Sequence, residues 1–336
     1  MANLKTSYMG LELKNPVIAG ASNLMKSIDN IKKIEEAGAA AIVYKSLFEE
    51  QIQLERLQLQ ESLEEYDDRH AEMIDIFPDM QHAGPEEHLV NLKEVKKVVN
   101  IPVIASLNAI NKDIWVEYAK RIEKAGVDGL ELNLYFSPSE IKNDPALIEK
   151  RQLDIIKEVK QNVKLPVSLK LSYFYTNPLN MIFKMDNTGV NGFVLFNRLF
   201  EPDINIQSEK HFNSFGLSNK GDHKLPLRFT GSLYGNIRSD ICGSTGIFTG
   251  EDIIKMILAG ASCIQCVSTL YKNGIEQISK MLKEIEKWMD DKRYKTLQDF
   301  KGKLANKNLN DPFTYSRAQY VDILINHEVI IRERNM

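Results

Sequence analysis

The chain has 336 residues, of which 43% are hydrophobic and 26% charged, with a formal net charge of −3. The hydrophobic fraction is too high for a disordered protein and sufficient for a sizeable core. The nearly balanced charge gives no reason to expect nucleic acid or an anionic membrane as a partner.

Residues 1–6 are not followed by a signal-peptide core, and no apolar run approaches the roughly 20 residues of a membrane span. Cys263 and Cys266 have the spacing of a metal or redox pair, but they lie in an apolar, strand-like run that points their sulfurs to opposite faces. With Cys242 they make an odd number. We therefore predict buried structural thiols, no metal centre and a reduced, cytoplasmic protein.

The first predicted elements are a hairpin over 8–15, which closes one end of the molecule, and a buried strand over 16–21. Ser27 is a good N-cap for a helix that runs to Glu36. Three times along the chain an amphipathic helix ends at a glycine and a hydrophobic strand follows. The glycine turns of these three segments lie at 37–39, 125–127 and 259–261.

Alternating helices and nearly continuous apolar strands indicate a parallel α/β fold that is buried on both faces. The predicted strands are 16–21, 40–46, 102–108, 129–135, 166–171, 192–198, 240–245 and 263–269. Eight strands favour a closed (β/α)8 TIM barrel over residues 1–305. A doubly wound sheet is the alternative, although no Gly-x-Gly-x-x-Gly follows the first strand.

Two long strand-to-helix insertions, 49–86 and 199–225, would lie on the active-site side of such a barrel. We interpret them as lids or binding loops, and solvated decoration is the alternative. A C-terminal extension, 306–336, is expected to pack on the barrel or on a partner subunit, which makes a homodimer possible.

Polar side chains follow nearly every predicted strand, and a barrel would bring them to one mouth. The fourth strand alternates Leu with polar residues and delivers Asn133 and then 135–137 to its end. The set at the strand ends is Ser22, Lys45, Ser46, Ser106, Asn108, Asn133, Lys170, Asn197, Arg198, 243–246, Ser268 and Thr269.

Two lysines and several amides suit a planar, anionic ring that is rich in hydrogen-bonding groups. The Gly-Ser-Thr-Gly run at 243–246, ahead of a helix beginning near Thr249, suits a phosphate. Together they fit FMN, and they also fit a sugar-phosphate substrate.

Over about residues 8–305 the sequence resembles the class 1 dihydroorotate dehydrogenases and the related flavin domain of dihydropyrimidine dehydrogenases. The likeness is carried by Asn15-Pro16-Val17, Ala19-Gly20-Ala21-Ser22, Lys45-Ser46, Glu131-Leu132-Asn133-Leu134, Leu169-Lys170-Leu171, Gly243-Ser244-Thr245-Gly246-Ile247, Gly260-Ala261 with Gln265, and the motif from Tyr294 to Leu304.

The resemblance implies FMN as cofactor and a small polar, dihydropyrimidine-like substrate. Ala21 and Ser22 would lie along the flavin, with Lys45 between flavin and substrate. By the same resemblance, the cofactor would also be held by Asn108, Asn133, Lys170, Gly243, Ser244, Thr245, Gly246 and Ser268. Lys45, Asn133 and Asn197 would orient the substrate.

The chain departs from the family's pattern on the substrate side. The family reads Asn-Leu-Ser-Cys-Pro-Asn after strand four, with Cys or Ser as the general base, whereas here Phe136 holds the base position and Pro138 replaces the second Asn. Ser137 is the candidate replacement base, and His82 or His88 could serve if the first long loop closes. Val267 replaces the family's phosphate-binding Gly.

Three functional hypotheses follow. The first is an FMN-dependent oxidoreductase that exchanges a hydride between its substrate and flavin N5. Its electron acceptor is unknown; because the chain has no Cys cluster for an iron–sulfur centre, the electrons would pass to a second substrate or to another protein. The second is a flavin-free lyase or aldolase with Lys45 or Lys170 as a Schiff-base amine. The third is an inactive homologue that acts as a subunit.

Overall fold

A computed structural model describes the fold of this chain. The described residues are 2–50, 52, 85–109, 111–134, 141, 143–198, 202–213, 216–310, 315, 321 and 324–325. Most of the first long loop and most of the C-terminal extension therefore lie outside them.

Eight parallel strands close into a barrel. They are β1 (Val17–Ala19), β2 (Ala41–Val43), β3 (Val103–Asn108), β4 (Gly129–Leu134), β5 (Val167–Leu171), β6 (Gly192–Leu195), β7 (Asp240–Ser244) and β8 (Cys263–Cys266). Each pairs in parallel with the next, and β8 pairs with β1. The (β/α)8 barrel is confirmed, and the doubly wound alternative is excluded because an open sheet would leave two unpaired edges.

Helices follow the strands around the outside of the barrel. They are α1 (Ile28–Glu36), α2 (Pro85–Val98), α3 (Lys112–Glu123), α4 (Pro145–Asn162), α5 (Pro178–Asp186), α6 (Lys224–Leu233), α7 (Gly250–Ala259), α8 (Ser268–Asn273) and α9 (Gln277–Lys292). The predicted caps are confirmed. Ser27 accepts from the Asn30 amide at the start of α1, and Thr249 forms a capping box with Asp252 at the start of α7.

In the repeated helix–glycine–strand segments, the glycine has the left-handed backbone conformation that is expected where a helix ends. Gly260, the C-cap of α7, has φ +118, and its amide donates to the Met256 carbonyl at 3.1 Å. Because a side chain is strained in this left-handed region, glycine ends the helix and lets β8 begin within three residues.

The N-terminal hairpin (Thr6–Tyr8 with Leu11–Leu13) closes the end of the barrel opposite the strand C-termini. The Met9 amide donates to Asp240 Oδ2 at 3.0 Å, which ties the turn to the start of β7. Tyr8 is buried against an inner cluster that includes Val194, Cys242 and Cys263. The predicted closing hairpin is confirmed, two residues earlier than expected.

A methyl group added at Gly192 should destabilise this closed end. It would lie 2.8 Å from Tyr8 Cε2 and 2.9 Å from Tyr8 Cζ, and a buried aromatic ring cannot move aside. We expect Gly192→Ala to lower the free energy of unfolding by about 1–3 kcal/mol, measured by urea denaturation.

Gly129→Ala is the matched control, since its added methyl group would meet only the flexible end of Met9, at 2.8 Å from Cε. An equal loss of stability in the two variants would contradict the packing argument.

The three cysteines are free and buried, as predicted. Cys242 and Cys263 are register partners on β7 and β8. Burial raises the pKa of Cys266 to about 12 and that of Cys263 well above its ordinary value. Thiols held protonated in this way are poor nucleophiles and poor metal ligands, which agrees with a structural role.

Part of the segment after residue 305 contacts the barrel. A short 3-10 helix covers Asn306–Asn308. Farther along, the Tyr315 hydroxyl donates to the Leu304 carbonyl at 3.1 Å, and Arg228 of α6 donates to the Tyr315 carbonyl at 3.1 Å. The division at residue 305 stays a prediction. Among the described residues no helix is both long and apolar enough to span a membrane.

Candidate active site

A cavity of about 450 Å³ opens at the C-terminal ends of the barrel strands. The side chains that the sequence analysis assigned to the ends of separate strands line this single cavity. Of the predicted site residues it is lined by Ala21, Ser22, Lys45, Asn108, Asn133, Lys170, Asn197, Ser244, Thr245, Gly246 and Ser268.

The side-chain amides of Asn133 and Asn197 form the central part of the cavity wall. Asn133, at the end of β4, accepts at Oδ1 from Asn197 Nδ2 at 2.8 Å. The Asn197 backbone amide donates to the Leu171 carbonyl at 2.7 Å, so the residue after β6 is held beside the end of β5. Asn197 Oδ1 also accepts from the Arg198 amide at 2.9 Å. The Nδ2 groups therefore supply the donors toward a ligand, and each amide oxygen can accept one further hydrogen bond.

Lys45 lines the cavity from the interruption between two short strand segments of the barrel. It lies between β2 and a short strand, Leu47–Phe48, that pairs with the end of β3. Burial, together with repulsion from Lys26, lowers the pKa of Lys45. A partly desolvated ammonium group of this kind binds an anionic or carbonyl oxygen more strongly than a solvated lysine does.

A buried polar network lies beneath another wall. Lys170 of β5 places its Nζ 3.9 Å from Glu131 Oε1 and 3.5 Å from Gln265 Oε1. Gln265 Nε2 donates to Glu131 Oε2 at 2.5 Å. Glu131 is fully buried, whereas Lys170 and Gln265 line the cavity.

The turn after β7 forms the opposite wall. Thr245 and Gly246 have φ +74 and +75, and the Thr245 hydroxyl donates to the Phe196 carbonyl at 2.9 Å, which stabilises this conformation. The turn leads into α7, whose first amides are already capped: the Gly250 amide donates to Glu284 Oε2 at 2.5 Å and the Asp252 amide to Thr249 Oγ1 at 3.3 Å.

Part of the second long insertion, 199–225, covers this turn, on the active-site side where the sequence analysis placed it. The Gly246 amide donates to Ser218 Oγ at 3.2 Å, and the Ser218 amide donates to Ser268 Oγ at 2.9 Å. Lys272 Nζ donates to the Ser218 carbonyl at 2.9 Å. Gly216–Ser218 therefore connects the second long insertion to the predicted phosphate site.

Some lining residues were missed by the sequence analysis. Lys26 lies on a 3-10 turn (Asn23–Lys26) that follows β1, and Tyr271 lies on α8. Neither stands at a strand end, which was the signal used, so sequence position alone could not place them in the cavity.

Gly243 does not line the cavity among the described residues. It is inside β7, where an added methyl group would lie 2.5 Å from Met256 Cε of α7. The glycine lets the helix pack closely on the strand, and its role in phosphate binding stays a prediction.

The proposed acid–base residues are only partly within the described chain. Ser137, Phe136, Pro138 and His82 lie outside it. His88 is on α2, buried against the ring of Tyr44 at 5.1 Å between centroids, and is not among the cavity's described lining residues.

Comparison with known proteins agrees with this geometry. The sequence profile described as dihydroorotate dehydrogenase matches residues 3–289. The chain belongs to the dihydroorotate dehydrogenase family. Within that family, a Thermoplasma volcanium protein named dihydroorotate dehydrogenase B (NAD(+)), catalytic subunit, is 28% identical over 311 residues, covering 90% of this chain and 98% of the relative. A Methanocaldococcus jannaschii protein of the same name is 29% identical over 315 residues, covering 89% and 97%.

Membership in the dihydroorotate dehydrogenase family confirms the resemblance found in the sequence. It indicates an oxidoreductase and places the cavity at the barrel end where such enzymes have their active sites. It does not by itself assign this chain's substrate, since fewer than a third of the aligned residues are shared with either relative.

Proposed function

We propose that this protein is an FMN-dependent oxidoreductase that transfers a hydride between a small polar, dihydropyrimidine-like substrate and flavin N5. The observation that carries the proposal is the convergence on one cavity of nearly all residues that the resemblance assigned to the cofactor. The cavity volume, about 450 Å³, lies within the ~300–1,000 Å³ that is usual for ligand sites.

The donor set suits the two ends of FMN. The Ser244 and Ser268 hydroxyls, with the backbone turn at Thr245 and Gly246 beside them, suit the phosphate. The Ser22 hydroxyl oxygen is buried with no hydrogen-bond partner among the described residues, which is evidence that a ligand binds alongside the first strand. In this arrangement Lys170 faces the pyrimidine end of the flavin, with Asn108 at the ring edge.

FMN, when bound, supplies the hydride acceptor, and the chain's own residues position the substrate. Lys45 holds an anionic or carbonyl oxygen of the substrate through its ammonium group. The paired amides of Asn133 and Asn197 hold the ring by complementary hydrogen bonds. Because the two asparagines are hydrogen-bonded to each other at the ends of the strands that flank β5, the reacting carbon is oriented before the hydride moves.

The position of the family's general base is held by Phe136 in this chain. Phe136 cannot accept a proton, so Ser137 is the candidate nearest in sequence. A serine hydroxyl needs a neighbouring base to be effective, and His88 does not line the described cavity. Substrate oxidation is therefore expected to be slow unless a residue of the first long loop supplies the base.

The names of the relatives support a role within an assembly. Both proteins compared above are named catalytic subunits, and both names include NAD(+). We infer that this chain is also a catalytic subunit and that its electrons pass to NAD+ through another subunit. A homodimer of this chain is compatible with that arrangement and stays a prediction.

The visible spectrum of the purified protein tests the cofactor directly. We expect a yellow protein with flavin absorbance near one equivalent per chain, and FMN as the mass of the released cofactor. A protein that is colourless, and stays so after FMN is added, would refute the proposal.

In the colourless case the alternative is the lysine-based lyase, which the lowered pKa of Lys45 favours. Borohydride trapping of a substrate on Lys45 would then separate the lyase from an inactive subunit, which would trap none.

A further inference from the structure

The buried network beneath Lys170 suggests how the redox potential of the site is set. Glu131 lies inside β4 with no exposed surface, and its register partner on β5 is Ser168, two residues before Lys170. Residues two apart on a strand point to the same side. Glu131 therefore lies one layer deeper in the barrel than Lys170.

The contacts of Glu131 are directed toward the Lys170 ammonium group. One carboxylate oxygen accepts from Gln265 at 2.5 Å, and the other lies 3.9 Å from Lys170 Nζ. The Gln265 carbonyl oxygen is 3.5 Å from the same Nζ. Two side chains, from β4 and β8, thus contact the Lys170 ammonium group of β5 from below, and Lys170 also lines the cavity.

Burying this carboxylate has no evident structural benefit. An isolated buried charge is unfavourable, and a buried ion pair is often no more stable than apolar residues of the same volume. A neutral Gln–Gln pair could fill the same space with the same hydrogen bonds. What distinguishes Glu131 from such a pair is its carboxylate group, which is placed 3.9 Å from the Lys170 ammonium group.

We propose that Glu131 is a positioning residue that fixes the Lys170 ammonium group and partly offsets its charge, and thereby lowers the reduction potential of the bound flavin. This inference rests on the proposed FMN site. A cation near the pyrimidine end of a flavin favours the reduced, anionic form. A carboxylate directly behind that cation opposes the effect, and in a buried site the opposition is weakly screened.

The test is the reduction midpoint of FMN in the purified holoprotein, measured by anaerobic equilibration with a reference dye. Glu131→Gln keeps the shape and can still accept from Gln265, but it removes the charge. We expect the ratio of reduced to oxidised flavin at a fixed potential to rise about tenfold, which for two electrons corresponds to about 30 mV.

Two further variants complete the design. Glu131→Asp keeps the charge, and its midpoint should stay much closer to that of the wild type. Asp186→Asn is the matched control, because Asp186 is a buried carboxylate of α5 bound to Ser239, outside the cavity lining. Its loss should leave the midpoint unchanged although it removes a buried charge.

An unchanged or lower midpoint in Glu131→Gln would overturn the inference. It would mean that the carboxylate only holds Lys170 in place, or carries no charge. If Glu131→Gln does not fold, the double variant Glu131→Gln/Lys170→Met, which buries neither charge, is compared with Lys170→Met: removing the carboxylate should raise the ratio of reduced to oxidised flavin about tenfold, and equal ratios would overturn the inference. A wild-type protein that binds no FMN would refute the proposed function as well, whereas normal FMN binding with an unchanged midpoint refutes the inference alone.

Discussion

Replacing Lys45 with Met is expected to reduce kcat/KM for a dihydropyrimidine substrate by about 100- to 1,000-fold. This is the usual loss when one preorganised electrostatic contact to a reacting group is removed. Lys45 is half-buried in the cavity wall, between β2 and the Leu47–Phe48 strand, so water cannot readily replace its ammonium group. Steady-state rates with dihydroorotate, as the first substrate to try, measure the effect.

The pH profile gives this prediction a second, independent readout. Burial and repulsion from Lys26 lower the pKa of Lys45, so activity should fall on the alkaline side at a lower pH than for a solvated lysine. Lys26→Met removes the repulsion and should move that alkaline limb to higher pH. If Lys45→Met keeps most of the wild-type rate, Lys45 does not contact the substrate.

The barrel was predictable because its signals are local. Each strand after the first is a short apolar run preceded by a helix, and the helices before β2, β4 and β8 all end at a glycine. Once the fold is a parallel barrel, the residue that follows each strand must lie at the same end. Lys45, Asn133, Lys170 and Asn197 could therefore be assigned to one cavity before any contact was known.

What the sequence did not predict depends on contacts between distant residues. Ser218 meets Ser268 across 50 residues, and no local pattern marks either of them as a partner of the other. Gly192 seemed an ordinary strand residue, and only the position of Tyr8 explains why it lacks a side chain. Such pairs follow from how the elements pack, which periodicity does not encode.

The ion pair of Glu131 was hidden for a different reason. In the alternating Leu-Glu-Leu-Asn run of β4 a glutamate looks like the solvent-facing residue of a half-exposed strand. In a barrel the second face is the closed interior, so Glu131 is buried and needs partners. The alternation therefore predicts the strand but does not show which partners its glutamate will have.

Acidification from pH 7 to pH 5 is expected to destabilise the protein by about 2 kcal/mol through His88 alone. Burial, with a contribution from the nearby charge of Lys45, lowers the pKa of His88 from 6.5 to about 4. A histidine whose folded pKa lies below its unfolded value contributes full stability above pH 6.5. That contribution declines as the pH falls toward 4, because the unfolded chain takes up the proton first.

His88→Phe should remove this pH dependence while keeping the edge-to-face contact with Tyr44, whose ring centroid is 5.1 Å away. Neither imidazole nitrogen has a hydrogen-bond partner in the described part of the chain, so little is lost at pH 7. Urea denaturation of both proteins at pH 7 and pH 5 measures the difference.

The control is His211, an exposed residue of the second insertion. It lies in an antiparallel hairpin formed by Pro202–Asn205 and Lys210–Asn213. His211→Gln should follow the wild type at both pH values, whereas His88→Phe should lose about 2 kcal/mol less on acidification. Equal losses in the wild type and His88→Phe would mean that His88 is not held neutral by burial.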